Sequence, residues 1–238
     1  PFYHKLIIPF LIPFLIAMTL GLKLKWIKSE IKDKKNLIIF FLISVLISIL
    51  IVRNFDTNFL IYTVLISSAF FLFFVTVRDF FVKKFSSFSQ NISHFGFSLL
   101  ILSILFNNFL TNETIINLKL GQTHVAEKFI IKFEDVNQSS QKNYESVVGK
   151  FSVKNNDGKT DILYPELRIY NQPNIVTSEA YIKTNFFLDK FMTMNYVQNE
   201  EYFNIRYQTK PLMLWIWISV ILISLGGLTS LFKKKYES

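Results

Sequence analysis

Residues 59–77 read FLIYTVLISSAFFLFFVTV, a run in which no side chain is charged. A helix rises about 1.5 Å per residue, so a run of this length reaches across the roughly 30 Å hydrocarbon core of a bilayer. The whole sequence is also apolar, because 51% of its residues are hydrophobic and its mean hydropathy is +0.34. These values are too high for a disordered chain or an ordinary soluble domain, and they predict a membrane protein.

Four further apolar runs approach the length of a membrane span. The predicted spans are 6–22, 37–52, 59–77, 92–110 and 211–232, of which the second is the shortest. Pro9 and Pro13 are expected to bend the first span, which a membrane helix tolerates when its neighbours satisfy the freed carbonyl groups. The sequence therefore predicts a polytopic α-helical membrane protein with about five spans.

Positive charges in the short loops predict how these spans are oriented. Loop 23–36, loop 78–91 and the tail after residue 232 together carry twelve Lys or Arg residues, whereas loop 53–58 carries one. Cations concentrate on the cytoplasmic side of membrane proteins, so these loops and the C-terminus are expected in the cytoplasm, or on the matrix side in a mitochondrion. Residues 111–210 then face the periplasm of a bacterial inner membrane, or the intermembrane side of a mitochondrial one.

The net charge of +9 is explained by the same loops. Residues 111–210 hold equal numbers of basic and acidic side chains, so almost all of the excess positive charge lies in the cytoplasmic loops and tail. In a soluble protein a pI near 9.5 would suggest nucleic-acid binding. Here contact with anionic membrane lipid accounts for the charge, and no nucleic-acid partner is expected.

Residues 111–210 have the pattern of a β domain, with residues such as Ile, Val, Phe and Tyr alternating with polar ones. Gly121 and Asn156-Asp157-Gly158 supply turns. The predicted strands are 115–120, 128–136, 145–154, 161–170, 175–183 and 201–207, with 186–194 as either a strand or a short helix. Six or seven short strands in about 100 residues predict a small antiparallel barrel or sandwich. The predicted domains are 1–110 with four spans, 111–210 as an inserted periplasmic all-β domain, and 211–238 with the last span and a basic tail.

His94 is the candidate functional residue, because it is the one ionisable side chain inside the five predicted spans. Burying an imidazole in hydrocarbon is costly without a partner, so a histidine at this depth indicates a functional site. It can be an axial ligand to haem iron, ligate another metal or relay a proton. The alternative is an interfacial histidine that is hydrogen-bonded to a serine or a carbonyl group of a neighbouring helix. A haem whose second axial ligand lies outside this chain needs one histidine here, and Gly96 would let a macrocycle or another helix approach closely.

The other candidate residues have structural explanations. His124 is expected in a turn or at the surface, and His4 at the outer membrane face. Trp215 and Trp217 are expected in an interfacial aromatic belt, and Gly226-Gly227 in helix packing. The absence of Cys excludes disulfides, thiolate metal sites and a Cys nucleophile. Neither a Ser-His-Asp order nor a phosphate-binding glycine loop is found in the sequence.

Short motifs along the chain occur in an order that resembles one membrane protein family. They are Ser93-His94-Phe95-Gly96, Leu118-Lys119-Leu120-Gly121-Gln122, Tyr164-Pro165-Glu166-Leu167-Arg168-Ile169-Tyr170, Lys210-Pro211 followed by Trp215-Ile216-Trp217, and Leu225-Gly226-Gly227. Together they resemble the C-terminal part of the CcmF and NrfE family, the membrane subunits of the haem lyase in cytochrome c maturation. The resemblance extends from about residue 1 to residue 236.

The resemblance implies a function in covalent attachment of haem to apocytochrome c on the periplasmic side. Members of the family receive haem as a transient substrate from the haem chaperone CcmE, and CcmH-type and CcmI-type subunits present the apocytochrome. They also hold a resident haem b between two transmembrane histidines. His94 matches the second of these histidines, which makes it the expected axial ligand to the haem iron.

The sequence also departs from the family. A tryptophan-rich periplasmic segment, its flanking histidines and the other transmembrane haem ligand are absent, and the first Met is Met18. The chain is therefore expected to be the C-terminal part of a longer protein or one polypeptide of a split one, and this piece alone is not expected to be catalytic. Two alternatives stay open, a membrane-anchored scaffold without a cofactor and a fragment of a haem or solute transporter. Besides His94, the features that suggest a transporter are Pro9 and Pro13, because transport sites often lie at broken helices.

Overall fold

The structure is a computed structural model that describes residues 2–21, 34–55, 58–82, 88–197 and 201–233, with side chains from residue 6 to residue 231. The chain divides into two compact units. One unit contains residues 1–109 together with residues 212–238, and the other contains residues 110–211. The described part of the first unit is helical, and that of the second is built from β-strands.

The helices of the first unit follow the apolar runs of the sequence. They are α1 (Phe2–Gly21), α2 (Lys34–Val52), α3 (Phe59–Val82), α4 (Phe88–Leu110) and α5 (Met213–Lys233). Among the described residues, α2, α3, α4 and α5 are long and apolar enough to cross a membrane, and the apolar stretch Leu6–Gly21 of α1 is shorter. The predicted polytopic helical membrane protein is confirmed, with four helices of spanning length and a fifth apolar helix.

Helix α3 ends later than predicted, and helix α4 begins earlier than predicted. Helix α3 runs through Arg78 and Asp79 to Val82, and Asp79 is buried. The prediction that His94 is the one ionisable residue in the spans is therefore wrong. Helix α4 begins at Phe88 rather than at residue 92, so His94 lies about 9 Å along the helix axis from its first residue.

Polar side chains inside the helices bond to the backbone of their own helix. The Ser48 hydroxyl donates to the Ser44 carbonyl at 2.6 Å, and the Thr76 hydroxyl donates to the Leu72 carbonyl at 2.9 Å. Such bonds satisfy a hydroxyl without a partner from another helix, which makes Ser and Thr acceptable in hydrocarbon. Leu15, from α1, packs with α3 and α4 in the apolar core of this unit.

Within the described residues of the second unit, ten strands form two sheets. They are β1 (Asn112–Leu118), β2 (Thr123–Val125), β3 (Phe129–Ser140), β4 (Tyr144–Asn155), β5 (Thr160–Leu163), β6 (Glu166–Asn171), β7 (Asn174–Glu179), β8 (Tyr181–Lys183), β9 (Leu188–Tyr196) and β10 (Phe203–Pro211). The four-stranded sheet has the order β1-β10-β9-β8, and the six-stranded sheet has the order β2-β3-β4-β6-β7 with β5 paired to β4. Every described strand pair is antiparallel, and the predicted all-β domain is confirmed as a sandwich.

The strand boundaries differ from the prediction at several places. The single predicted strand 161–170 is two strands, because Pro165 has no N–H to donate to a ladder and separates β5 from β6. The predicted strand 175–183 is likewise divided into β7 and β8. Residues 186–194 lie mostly in β9, so the strand alternative was correct and the helix alternative was wrong. Strand β2 was not predicted, because three residues are too few to show a period of two.

The core of the sandwich is formed by large side chains from both sheets. Phe133 of β3 stacks on Phe151 of β4 with ring centroids 4.3 Å apart. Met192 and Met194 of β9 and Ile205 of β10 are fully buried in the same core. Each such side chain stabilises the fold by about 1.5–3 kcal/mol through burial. The two sheets are therefore held together mainly by this apolar layer.

Candidate functional site

Helix α4 packs closely against helix α5 along a stripe of small residues. Ser89, Ser93 and Gly96 stand at intervals of four and three residues, so they lie on one face of α4. The Ser89 hydroxyl donates to the Gly226 carbonyl of α5 at 2.5 Å. A Cβ atom at Gly226 would lie 2.8 Å from the Ser93 amide nitrogen and 2.9 Å from the Ser89 carbonyl oxygen. The two backbones approach as closely as they do because Gly226 has no side chain.

The same approach explains Gly96. A Cβ atom at this position would lie 3.0 Å from Cγ1 of Ile223 and 3.0 Å from Cβ of Leu222. In the sequence, this glycine could accommodate either a macrocycle or another helix. The structure places α5 against it, so its role in helix packing is established.

We expect Gly226→Ala to destabilise the packing of α4 against α5 by about 1–3 kcal/mol, because the added methyl group meets the backbone of α4. The matched control is Gly227→Ala, whose Cβ would meet nothing within 4 Å and which should gain up to about 1 kcal/mol of helix propensity. Unfolding by sodium dodecyl sulfate in mixed micelles measures both. Equal stability of the two variants would contradict this account of the α4–α5 contact.

Aromatic residues fix the other sides of α4. Phe95 packs against Phe73 and Phe80 of α3, with ring centroids 5.4 Å and 5.7 Å away. Phe97 meets Phe14 of α1 edge to face at 5.7 Å. Successive residues of a helix are rotated by about 100°, so His94 points along neither the α5 face nor the Phe95 face. The orientation of α4, and with it the direction of His94, is thus set by contacts with three helices.

His94 is half-buried, and its Nδ1 atom has no hydrogen-bond partner within the described part of the chain. A buried nitrogen left without a partner costs about 1–3 kcal/mol, so a group outside the described residues is expected to satisfy it. Haem iron fits this requirement, because a neutral imidazole coordinates iron through one nitrogen while its other N–H donates to a carbonyl group or a water molecule. The residues around His94 are therefore compatible with an axial ligand role. Within the described ranges, the structure shows no group of three or more His, Asp or Glu residues that could hold a metal ion.

The remaining sequence candidates are placed as follows. His124 lies in strand β2 opposite Ile131, so the predicted turn is wrong, and its side chain is half-buried between two exposed neighbours. Trp217 is exposed near the start of α5, as expected for an aromatic belt. His4 lies outside the residues whose side chains are described.

The motif at residues 164–170 holds two strands of the sandwich together. Glu166 of β6 accepts a hydrogen bond from the Ser146 hydroxyl of β4 at 2.6 Å and from Arg168 at 2.9 Å. The Arg168 guanidinium lies 5.2 Å from the centre of the Tyr144 ring. Hydrogen bonds from Arg168 and Ser146 outweigh the effect of burial and hold the pKa of Glu166 below its ordinary value. Part of the motif that carries the family resemblance is therefore structural.

Sequence reasoning missed a buried ionic cluster that joins the two sheets. Asp161 of β5 accepts hydrogen bonds from Lys183 of β8 at 2.6 Å and from Lys190 of β9, whose side chain is only 6% exposed. Burial by itself would raise the pKa of Asp161, but these hydrogen bonds prevail and lower it. Burial, followed by the nearby charge of Asp161, raises the pKa of Tyr207. A signal was available, because Lys190 is in phase with the buried Met192 and Met194 along β9.

The fold and its elements define a polytopic helical membrane protein with a β-sandwich between its last two described helices. The model of one family, the CcmF C-terminal β-sandwich, matches residues 109–211. The cytochrome c-type biogenesis protein CcmF of Escherichia coli strain K12 is 25% identical over 247 aligned residues, which cover 100% of this chain and 38% of that protein. The cytochrome c-type biogenesis protein NrfE of Haemophilus influenzae is 24% identical over 177 residues, covering 73% of this chain and 28% of that protein.

A solved structure shares the fold. A chain described as Cytochrome c Heme Lyase CcmF superposes with a TM-score of 0.73 and 18% sequence identity, covering 96% of this chain and 40% of that chain. The chain thus spans less than half the length of these relatives. The predicted resemblance to the C-terminal part of the CcmF family is confirmed by the sandwich match, by the alignment over this entire chain and by the shared fold.

Proposed function

We propose that this chain is the C-terminal part of a cytochrome c haem lyase subunit that acts in the transfer and covalent attachment of haem to apocytochrome c. The observation that carries the proposal is the similarity along the entire chain to proteins named for cytochrome c-type biogenesis, on a fold shared with a haem lyase. This similarity includes the helices as well as the sandwich. The proposal covers a contribution to the lyase and assigns no complete activity to this piece.

We propose His94 as an axial ligand of a resident haem b whose second ligand lies outside this chain. The buried Nδ1 atom, which lacks a hydrogen-bond partner among the described residues, supports this assignment. The position of His94 in α4, a membrane helix that packs against α5, also supports it. When bound, such a haem supplies a one-electron couple that can keep the haem substrate ferrous. The chain holds the imidazole in one direction through the packing of Phe95 and Gly96.

The proposed orientation puts the β-sandwich on the periplasmic side of an inner membrane and the C-terminus in the cytoplasm. The excess of Lys and Arg in the loops on one side of the spans supports this orientation. In this orientation the sandwich is on the same side of the membrane as exported apocytochrome c and the haem chaperone CcmE. We therefore propose that the sandwich contributes to docking of apocytochrome c, CcmE or the CcmH-type and CcmI-type subunits.

Deleting residues 1–238 from the gene is the direct test of the lyase role. We expect loss of covalent haem from c-type cytochromes, measured as haem-dependent peroxidase staining of denatured proteins on a gel. Expression of the complete protein should restore the stain, and b-type cytochromes, which need no covalent attachment, serve as the internal control. Normal covalent haem in the deletion strain would refute the lyase role and favour the scaffold or transporter alternatives.

A further inference from the structure

The loop of residues 184–187, which joins β8 to β9, lies at the end of the four-stranded sheet where β10 leaves for α5. Leu188, the first residue of β9, pairs with Pro211, the last residue of β10. Helix α5 begins at Met213, two residues further along the chain. The loop is therefore at the end of the sheet at which β10 leads directly into the membrane span α5.

The other connection to a membrane helix is at the same end of the sheet. Helix α4 ends at Leu110, and β1 begins at Asn112. Asn112 pairs with Thr209, two residues before the end of β10. Both short connections to membrane helices are therefore at the end of the sheet that carries loop 184–187.

This loop presents two adjacent aromatic side chains. Phe186 is 52% exposed and Phe187 is 63% exposed, and their rings meet edge to face with centroids 4.8 Å apart. Two neighbouring phenylalanines at a loop tip present apolar area to water that would be stabilised by transfer to a less polar environment. Aromatic side chains are enriched at the membrane–water interface for this reason.

We propose that Phe186 and Phe187 insert into the interfacial region of the leaflet at which α5 begins, so that the β-sandwich is anchored to lipid by this loop as well as by its two helix connections. The partner is the lipid surface itself. The register favours lipid over a protein partner, because Leu188, which directly follows the loop, pairs with Pro211, two residues before the start of a span. The proposal does not depend on the haem lyase role or on His94.

The opposite end of β9 offers a matched control. Tyr196, the last residue of β9, is also aromatic and is 56% exposed. With a rise of about 3.3 Å per residue, it lies roughly 26 Å from the start of the strand. It should therefore remain in water if the loop end of the sheet contacts lipid.

The test uses nitroxide spin labels on a single introduced Cys, because this chain has no Cys of its own and any Cys elsewhere in the complete protein is first replaced by Ser. The variants are Phe186→Cys, Phe187→Cys and Tyr196→Cys in the complete protein, reconstituted in nanodiscs of phosphatidylethanolamine and phosphatidylglycerol. Power-saturation electron paramagnetic resonance gives the collision rates with oxygen, which concentrates in lipid, and with a nickel chelate, which stays in water. We expect the oxygen-to-nickel ratio to be several-fold higher at position 186 or 187 than at position 196.

Two results would overturn the proposal. If the labels in the loop give the same ratio as the label at position 196, the loop lies in water. If they are shielded from both oxygen and nickel, protein rather than lipid covers the loop. Circular dichroism of each labelled variant identifies a misfolded protein, and because positions 186 and 187 are tested separately, one of them suffices for the comparison.

Discussion

Replacing His94 with alanine in the complete protein is expected to remove most of its bound haem b. An axial ligand contributes a direct bond to iron, and alanine at this position offers no atom that can replace it. The measurement is a reduced-minus-oxidised optical spectrum of the purified protein, with total haem quantified as the pyridine haemochrome. We expect a b-type spectrum from the unmodified protein and its loss or strong weakening in His94→Ala.

The matched control is His124→Ala. His124 is half-buried like His94, but it lies in β2 of the sandwich, so its removal should leave the spectrum unchanged. Membrane insertion of both variants is checked by fractionation, which separates a lost ligand from a lost protein. Unchanged haem content and an unshifted spectrum in His94→Ala would exclude His94 as a ligand, and the lyase assignment would then depend on the sequence similarity alone.

The second large effect is expected at the ionic cluster of the sandwich. Asp161→Ala should destabilise the β domain by about 3–5 kcal/mol, because it leaves the buried Lys190 ammonium without the carboxylate that neutralises it. For a domain of about 100 residues this corresponds to a fall of more than about 10 °C in melting temperature. Thermal unfolding of the complete protein in detergent, followed by the β signal in far-ultraviolet circular dichroism, measures this fall.

A pair at the surface and a double replacement test the explanation. Glu201→Ala removes the ion pair with Lys119, whose side chain is 51% exposed, and should change the melting temperature little. Replacing both members of the buried pair, as Asp161→Leu with Lys190→Met, should recover much of the lost stability, because the unpaired cation that remains, Lys183, is 40% exposed and not buried. A melting temperature unchanged by Asp161→Ala would show that the cluster contributes nothing to the domain.

The same cluster predicts a dependence on pH. Because the folded state lowers the pKa of Asp161 below its ordinary value of 3.8, the carboxylate contributes stability above that value and loses it as the pH falls through the lower folded pKa. The difference in melting temperature between the unmodified protein and Asp161→Asn should therefore shrink as the pH falls below about 4. A difference that stays constant down to about pH 2 would contradict the lowered pKa.

The length of the apolar runs made the presence of the helices predictable, but it did not predict where the helices begin and end. A run of about 20 apolar residues has few alternatives to a membrane helix. The ends were misplaced at Asp79 and Asn91, two buried polar residues that hydropathy assigns to a loop. Their burial depends on neighbouring helices, and the hydropathy of a single segment contains no information about which helices pack against it.

Alternation made the strands predictable in the same limited way. The period of two identified most of the long strands, and Asn156-Asp157-Gly158 marked the turn in which Gly158 has a φ of 80°. The assignment of strands to two sheets, and the break at Pro165, depend on pairing between distant segments. Alternation along one strand does not specify its partner.

The sequence by itself determined the class of protein, the order of its helices, most of its long strands, the family it resembles and the choice of His94 as the candidate ligand. These follow from hydropathy, period and local motifs, which act over a few residues at a time. Only the tertiary structure decided that Gly226 lets α5 reach α4, that Asp161 neutralises the buried Lys190, and that Leu188, which follows Phe186 and Phe187, pairs with Pro211 at the end of a sheet. Each of these is a contact between residues far apart in the chain, whose distance is set by packing and strand register.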